Sequence, residues 1–299
     1  MSEFKNSNTM TIKRRLIKVN TPKEEPGFLG PGHIARAIVM GDFAATDPFI
    51  FLMDDQLDKK DNSPAGGPHP HAGFETVSLL VDGKIVEMLE SMKKGDFQIM
   101  TAGSGIVHTE TINTPTKGRL FQLWLNLPHK DRWTTPRLQI LPAEHVPESE
   151  QNGMSLRLYS GSLNGLSSPI QNYVPLIVAE IVMNPASSTT LKIPANFNTF
   201  LVAVSGSVKV GEDEKQLVKD QVGWLDHSKD DTQSELTLRA GAEGVRFVLY
   251  AAKPLGEKIF PYGPFIADRQ DEIQPLYQKY RSGKMEHISE TPESQRITY

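Results

Sequence analysis

Two short segments of the sequence place residue types that bind metals two positions apart. The segment GGPHPHAGFET contains His69 and His71, and the segment IVHTET contains His108 and Glu110. Because residues i and i+2 of a β-strand point to the same face, each pair can direct both side chains to one side of a sheet. If the two strands are neighbours, three imidazoles and one carboxylate converge, and the sequence then predicts a metal site.

The ligand types leave the identity of the metal open. Imidazole and carboxylate ligands without thiolate suit Fe, Mn, Zn, Ni or Cu. Four ligands on one side of an octahedral ion leave about two coordination positions open, which is typical of a catalytic rather than a structural site. A single His-x-His pair is weak support, but Pro70 restricts His69 to extended conformations and the second pair of ligand types strengthens the prediction.

Other polar residues near these pairs allow several interpretations. Glu75 is a fifth ligand, an acceptor for an imidazole N–H, or a surface charge, and the second and third roles are favoured. The glycines of TAGSGIVH indicate a tight turn, and a phosphate cradle is rejected because no helix follows. The remaining histidines have no ligand-type neighbour two residues away and are interpreted as ordinary polar or surface residues: His33, His129, His145, His227 and His287.

The composition sets the class of protein. A length of 299 residues favours two domains, and a net charge of -4 argues against direct binding of nucleic acid. The chain has no cysteine, so thiolate chemistry is excluded. No secretory signal and no long apolar run is visible, so no membrane association is expected. The expected location is the cytoplasm, or the nucleus if the protein is eukaryotic.

Short β-rich runs separated by glycine and proline indicate an all-β protein. Asp82-Gly83 lies between two such runs and predicts a hairpin turn. In RLFQLWLNLP, the leucines alternate with polar residues and tryptophan, so they share one face of a strand. The pattern of short β-rich runs resumes after Met154, which suggests two copies of one β-barrel. The linker is placed within 128–150, and the predicted domains are 1–140, which contains the metal site, and 141–299.

The sequence also predicts the less regular parts. The polar stretch from Asp58 to Pro68 is expected to be a long loop at the rim of the site. A helix is expected near the C-terminus, where Ile273, Leu276, Tyr277 and Tyr280 follow helical spacing, with Asp271 as the N-cap and Gly283 just past the end. The first ten or so residues and the tail HISETPESQRITY are expected to be loose.

Several longer motifs resemble the pirin family of the cupin superfamily: HPHAGFET, MTAGSGIVHTE, QLWLNLP and the stretch from Pro254 to Met285. The resemblance implies a bicupin, in which two antiparallel jelly-roll β-barrels lie side by side, with a metal only in the N-terminal barrel. By motif match the ligands are His69, His71, His108 and Glu110, and the metal is Fe(II), with Mn, Ni, Cu or Zn as alternatives. The sequence departs from the family at Ala72, where arginine is common, and at Ile99, where tryptophan is usual.

Three functions follow from this resemblance. The favoured one is a dioxygenase of the quercetin 2,3-dioxygenase type, in which Glu110 is the catalytic base for a flavonol or a similar small aromatic substrate and O₂ is the co-substrate. The second is a transcriptional co-regulator or protein-binding module, in which the oxidation state of the iron would alter a surface that a protein partner recognises. The third is a bicupin with a purely structural metal.

Overall fold

The chain is built almost entirely of β-strands. The computed structural model describes residues 11–86 and 91–299. In chain order the strands are β1 (Ile12–Lys13), β2 (Leu16–Asn20), β3 (Glu24–Pro26), β4 (His33–Val39), β5 (Phe49–Lys59), β6 (Ala65–His71), β7 (Phe74–Val86), β8 (Ser91–Lys93), β9 (Phe97–Thr101), β10 (Ile106–Ile112), β11 (Thr116–Asn126), β12 (Arg137–Leu141), β13 (Glu148–Gln151), β14 (Met154–Ser160), β15 (Ser162–Leu163), β16 (Leu166–Ser167), β17 (Leu176–Met183), β18 (Ser188–Pro194), β19 (Asn198–Val210), β20 (Lys215–Val218), β21 (Val222–Leu225), β22 (Gln233–Ala252), β23 (Phe260–Tyr262), β24 (Phe265–Ala267) and β25 (Arg296–Thr298). The α-helices are α1 (Phe43–Thr46) and α2 (Ile273–Arg281), and single 3₁₀ turns lie at His129–Asp131, Ala143–His145, Gln270–Glu272, Ile288–Glu290 and Glu293–Gln295.

Two large sheets, mainly antiparallel, organise these strands. The N-terminal sheet has the order β25-β12-β9-β7-β11-β5-β4-β3, and the C-terminal sheet has the order β13-β14-β17-β22-β19-β21-β2. Strands β6 and β10 form a separate two-stranded sheet. Within the described residues neither large sheet closes on itself. The all-β, two-unit architecture is therefore confirmed, while closure into barrels stays a prediction.

The two large sheets share one apolar core. Leu123 and Leu125 of β11, both fully buried, lie in one cluster with Phe200 and Tyr250 of the C-terminal sheet. The rings of Phe200 and Tyr250 stack with centroids 5.0 Å apart. Burying each such side chain contributes about 1.5–3 kcal/mol. The predicted alternation of β11 is confirmed, because the leucines face this core while Gln122 and Trp124 face the other side of the sheet.

A half-buried arginine also joins the two units. Arg246 of β22 donates from Nη1 to both carboxylate oxygens of Asp82, at 3.0 and 2.9 Å, and from Nη2 to the carbonyl oxygen of Val81 at 2.6 Å. The same guanidinium donates to Oε2 of Glu180 on β17 at 3.0 and 2.6 Å. Ion pairs of this kind are costly to break, because the remaining charge loses its partner.

Both ends of the chain cross to the opposite unit. Strands β1 and β2 pair with β22 and β21 of the C-terminal sheet, and β25 pairs in parallel with β12 of the N-terminal sheet. The prediction of a loose tail is therefore wrong for residues 287–299, since they form two 3₁₀ turns and then strand β25, which extends the N-terminal sheet. The expected disorder of the first ten residues lies outside the described residues, and the division at 140 and 141 stays a prediction.

The predicted hairpin at Asp82-Gly83 is wrong. Both residues lie inside β7, where Asp82 pairs with Arg119 and Gly83 with Gly118 of β11. The register shifts between Arg119 and Leu120, and Gly83 has a φ of +79°. A glycine with positive φ serves a bulge as well as a turn, and here it allows the strand to continue past an irregularity. The chain reverses farther on, because Lys84 of β7 pairs with Lys93 of β8.

The predicted rim loop is shorter than expected, and the C-terminal helix is confirmed. Strand β5 continues to Lys59 and β6 begins at Ala65, so the loop covers only 60–64. Helix α2 buries Ile273 and Leu276, but a 3₁₀ turn precedes it and contains Asp271, which is not the N-cap. Pro275 falls in the first turn of α2, where its missing N–H has no helical partner to lose. No described helix is both long and apolar enough to cross a membrane.

Candidate metal centre

Strands β6 and β10 bring the two halves of the predicted site together. They pair antiparallel, with His108 opposite His69 and Ile106 opposite His71. The pairing requires glycine at position 66, where φ is +80° and a Cβ atom would lie 1.9 Å from the carbonyl oxygen of Glu110. The prediction that β6 and β10 are neighbouring strands is thus confirmed. The i, i+2 spacing places both pairs of predicted ligands on the same face of this two-stranded sheet.

Three imidazoles converge on a single point. The potential ligand nitrogens of His69, His71 and His108 all lie within 4.8 Å of one another. Nε2 of His69 and Nε2 of His108 are 2.8 Å apart. The Nδ1–H of His69 donates to the carbonyl oxygen of Gly67 at 2.9 Å, which fixes the tautomer and leaves the Nε2 lone pair directed at the cluster.

The electrostatics of the cluster favour a cation. Burial, reinforced by the neighbouring imidazoles, lowers the pKa of His71 well below its usual range and lowers the pKa of His108 to about 3. Both rings are therefore neutral near pH 7 and present lone pairs. Nδ1 of His71 is buried and has no hydrogen-bond partner among the described residues. Converging neutral imidazoles, one of them with an unpaired buried nitrogen, fit a first-row transition metal.

Glu110 lies at the edge of the cluster. Its Oε2 is 3.8 Å from Nε2 of His69 and its Oε1 is 3.9 Å from Nε2 of His108, so it forms no hydrogen bond to either ring. Burial of the carboxylate raises its pKa, and the nearby His69 partly offsets this. The side chain keeps 29% of its surface exposed, which leaves it open to the cavity described below. Its part as fourth ligand stays a prediction.

Aromatic side chains enclose the cluster from the sheet side. The ring of His71 lies 5.2 Å from the rings of both Phe74 and Trp124. Trp124 in turn lies 4.3 Å from Phe74 and 5.4 Å from Phe51. This packing fixes the orientation of the imidazole and keeps one side of the site apolar. Sequence reasoning placed Trp124 opposite the leucines of β11 but did not assign it to the site.

A large cavity opens onto the histidines. Its volume is about 830 Å³, within the range of small-molecule sites. Its polar wall contains His69, His71, Glu110, Gln122 and Asp55, and its apolar wall includes Phe28, Ala35, Ala37, Met40, Phe51, Met53, Trp124 and Pro264. A second, smaller cavity of about 150 Å³ is also lined by His108 and Glu110. Its other lining residues include Thr76, Ser78, Gln98 and Gln122.

Glu75 does not belong to the metal cluster. It is completely buried, so the surface interpretation is wrong. It lies next to Thr76, which lines the smaller cavity, and its side chain points to the opposite face of β7, where the Thr101 hydroxyl donates to Oε1 at 2.6 Å. Within the described residues Oε2 has no partner, so no imidazole donates to this carboxylate. Burial raises the pKa of Glu75 to about 7.

The two departures from the expected motifs also lie away from the cavity. Ala72 is fully buried in a cluster with Phe265 and Met285 beside helix α2, and Ile99 is fully buried in the core between the two sheets. Neither residue lines the large cavity. The glycine-rich TAGSG segment forms a tight turn between β9 and β10, as predicted, with Gly105 at a φ of +109°.

Comparisons with known proteins agree with this architecture. The family model for pirin matches residues 33–125, and the model for the pirin C-terminal cupin domain matches residues 178–286. A pirin-like protein of Solanum lycopersicum is 31% identical over 266 residues, which cover 84% of this chain and 86% of the relative. Human pirin is 30% identical over 259 residues, covering 84% of this chain and 87% of the relative.

Solved structures give the same result. The crystal structure of GK1651 from Geobacillus kaustophilus is 29% identical with a TM-score of 0.75, and covers 83% of this chain and all of that chain. A structure described as quercetin 2,3-dioxygenase from Acinetobacter baumannii is 26% identical with a TM-score of 0.78, and covers 92% of this chain and 98% of that chain. On its sequence, fold and histidine cluster, this chain belongs to the pirin family.

Proposed function

We propose that the protein is a metal-dependent dioxygenase of the quercetin 2,3-dioxygenase type, acting on a flavonol or a similar aromatic compound. The observation that carries this proposal is the position of the three histidines in the wall of a cavity of about 830 Å³ lined with aromatic and aliphatic side chains. The similarity to the Acinetobacter protein described as quercetin 2,3-dioxygenase supports the same chemistry.

We assign His69, His71, His108 and Glu110 as the metal ligands and Fe(II) as the metal, with Mn, Ni, Cu or Zn compatible with the same ligand types. A bound iron would supply Lewis-acid and redox chemistry. The apolar walls formed by Phe51 and Trp124 would hold the flat rings of the substrate and exclude water.

Glu110 is the proposed catalytic base. Its carboxylate lies at the edge of the histidine cluster and lines the large cavity. Because burial raises its pKa, it holds a proton more readily than an exposed glutamate does. We propose that a Glu110 oxygen takes the proton of the flavonol hydroxyl. In the overall reaction one O₂ is consumed, both of its atoms remain in the cleaved product, and one carbon leaves as carbon monoxide.

The test is turnover by protein loaded with Fe(II) under anaerobic conditions and then mixed with quercetin and O₂. We expect O₂ uptake and release of carbon monoxide in equal amounts. Glu110→Gln should lower kcat by about a hundredfold or more after correction for metal content. Glu286→Gln is the matched control, because this exposed glutamate lies beside β10 through its backbone. No turnover by iron-replete wild type would exclude the proposed reaction.

The identity of the metal needs its own measurement. Elemental analysis of protein purified without O₂ should find about one iron per chain, and electron paramagnetic resonance after oxidation should report imidazole and oxygen ligands. A change in that spectrum when a flavonol is added would indicate an open coordination position. Another metal at the same ratio would correct the choice of iron and leave the ligand assignment standing.

A further inference from the structure

The large cavity contains a second interior carboxylate that the proposed chemistry does not use. Asp55 lies on β5 opposite Ala35 of β4, and both residues line the cavity together with His69 and Glu110. Its side chain is 13% exposed, so it faces the cavity rather than bulk solvent. A carboxylate charge with so little exposure is costly unless it has a hydrogen-bond partner.

His33 is that partner, and its tautomer is set by its surroundings. The backbone N–H of Leu29 donates to Nδ1 of His33 at 3.2 Å, so in the neutral ring the proton is on Nε2. Nε2–H then donates to Oδ1 of Asp55 at 2.8 Å. Within the described residues no hydrogen bond is made to Oδ2 of Asp55, which leaves one carboxylate oxygen for a ligand.

The turn that precedes β4 holds the His33 ring in place. The His33 side chain is only 1% exposed. A Cβ atom at Gly27 would lie 2.2 Å from the ring, so only glycine admits the histidine here. The ring of Phe28 packs edge-on against it at 5.5 Å, and the N–H of Gly27 donates to the carbonyl oxygen of His33 at 2.8 Å. Asp55 is thus held in one orientation before any ligand binds, which lowers the entropy cost of binding.

We infer that Asp55, positioned by His33, is a specificity-determining residue that accepts a hydrogen bond from a hydroxyl group of the substrate. This inference rests on the proposed function, since it concerns the same cavity. A carboxylate is only an acceptor and repels anions, so the group it binds must be a donor. The apolar residues Phe51 and Met53 on the same strand select a flat ring beside that donor. The substrate class is therefore an aromatic compound with a phenolic hydroxyl on its pendant ring, separate from the hydroxyl that meets the histidines.

Comparing the binding of two flavonols distinguishes a hydrogen bond to Asp55 from purely hydrophobic binding. Quercetin carries two hydroxyls on its pendant ring, and galangin is the same flavonol without them. Calorimetric titration of the metal-loaded protein should show that wild type binds quercetin about tenfold more tightly, as expected for a hydrogen bond to a charged acceptor. Asp55→Asn should lose about tenfold in affinity for quercetin and change little for galangin. Asp58→Asn is the control, since Asp58 is an exposed aspartate on the same strand.

Each outcome decides something specific. Equal affinity of wild type for the two flavonols, or an equal loss for both in Asp55→Asn, would overturn the role of Asp55 even where O₂ uptake supports the proposed reaction. The wild-type comparison needs no variant, so it stands if Asp55→Asn fails to fold. A preference for quercetin that Asp55→Asn removes, without O₂ uptake by wild type, would support the binding role and exclude the proposed reaction. Binding of neither flavonol would overturn both.

Discussion

Replacing Glu75 with glutamine should make the stability of the protein less dependent on pH. The Glu75 carboxyl is completely buried, and its pKa is raised from 4.5 to about 7 because burial penalises the charged form. The folded protein therefore binds this proton more tightly than the unfolded chain does. Between these two pKa values the folded state holds more protons, so the free energy of unfolding falls as pH rises.

The size of the effect follows from the two pKa values. One pKa unit corresponds to about 1.4 kcal/mol. Integrating the proton linkage from about pH 5 to about pH 8.5 gives a loss of about 2.5 kcal/mol from Glu75 alone. Glutamine keeps the acceptor for the Thr101 hydroxyl and has no charge, so Glu75→Gln removes this loss. The amide nitrogen of the glutamine replaces Oε2 of Glu75, which lacks a hydrogen-bond partner among the described residues. This change shifts the free energy of unfolding by an amount that does not vary with pH.

Urea unfolding followed by tryptophan fluorescence at the two pH values measures the effect. The protein should be free of metal, because metal binding is itself linked to protons. The difference in unfolding free energy between Glu75→Gln and wild type should grow by about 2.5 kcal/mol from the lower to the higher pH. Glu150→Gln, at an exposed glutamate, should show a change below about 0.5 kcal/mol. A difference for Glu75→Gln that is the same at both pH values would contradict a raised pKa of Glu75 in the folded protein.

Three further predictions concern the metal site and the contact between the two units. His108→Ala should lower the metal content from about one ion per chain to near zero, measured by elemental analysis, because the cluster loses a central imidazole. Arg246→Ala should lower the free energy of unfolding by about 3 kcal/mol in denaturant titrations, since it leaves the buried carboxylate of Glu180 without its partner. Gly66→Ala should weaken metal binding, because the new Cβ would collide with the Glu110 carbonyl oxygen and force β6 away from β10. Gly67→Ala is its control, since a Cβ there meets nothing within 4 Å, and equal metal affinity of the two variants would contradict the steric argument.

The strand periodicity of the sequence was sufficient to predict how the histidine pairs are directed. A strand alternates its side chains regardless of what surrounds it, so His69 and His71 had to share a face. The same rule separated the leucines of β11 from Trp124. Periodicity could not show that β6 and β10 are neighbours, because strand pairing depends on contacts far apart in the sequence. The family motifs supplied that information, and the register of His108 opposite His69 agrees with it.

Local sequence patterns were ambiguous where the same residues occur both in hairpin turns and in bulges within strands. Asp82-Gly83 is typical of a hairpin turn, but positive φ at Gly83 also suits a bulge inside a long strand. The chain could continue because β11 offered a partner strand on both sides of the irregularity. The tail was likewise polar enough to look loose, and only the free edge of β12 gave residues 296–298 a place in the sheet.

Residue type and short-range spacing were enough to predict the all-β class, the two-unit organisation and the residues that could bind a metal. The burial of Glu75 behind the site and the position of Asp55, which His33 fixes in the wall of the cavity, became visible only in the folded chain. Those two roles arise from faces and edges of strands that meet across long sequence separations. Burial then sets the charge state and orientation of each group, and burial is a property of the folded chain alone.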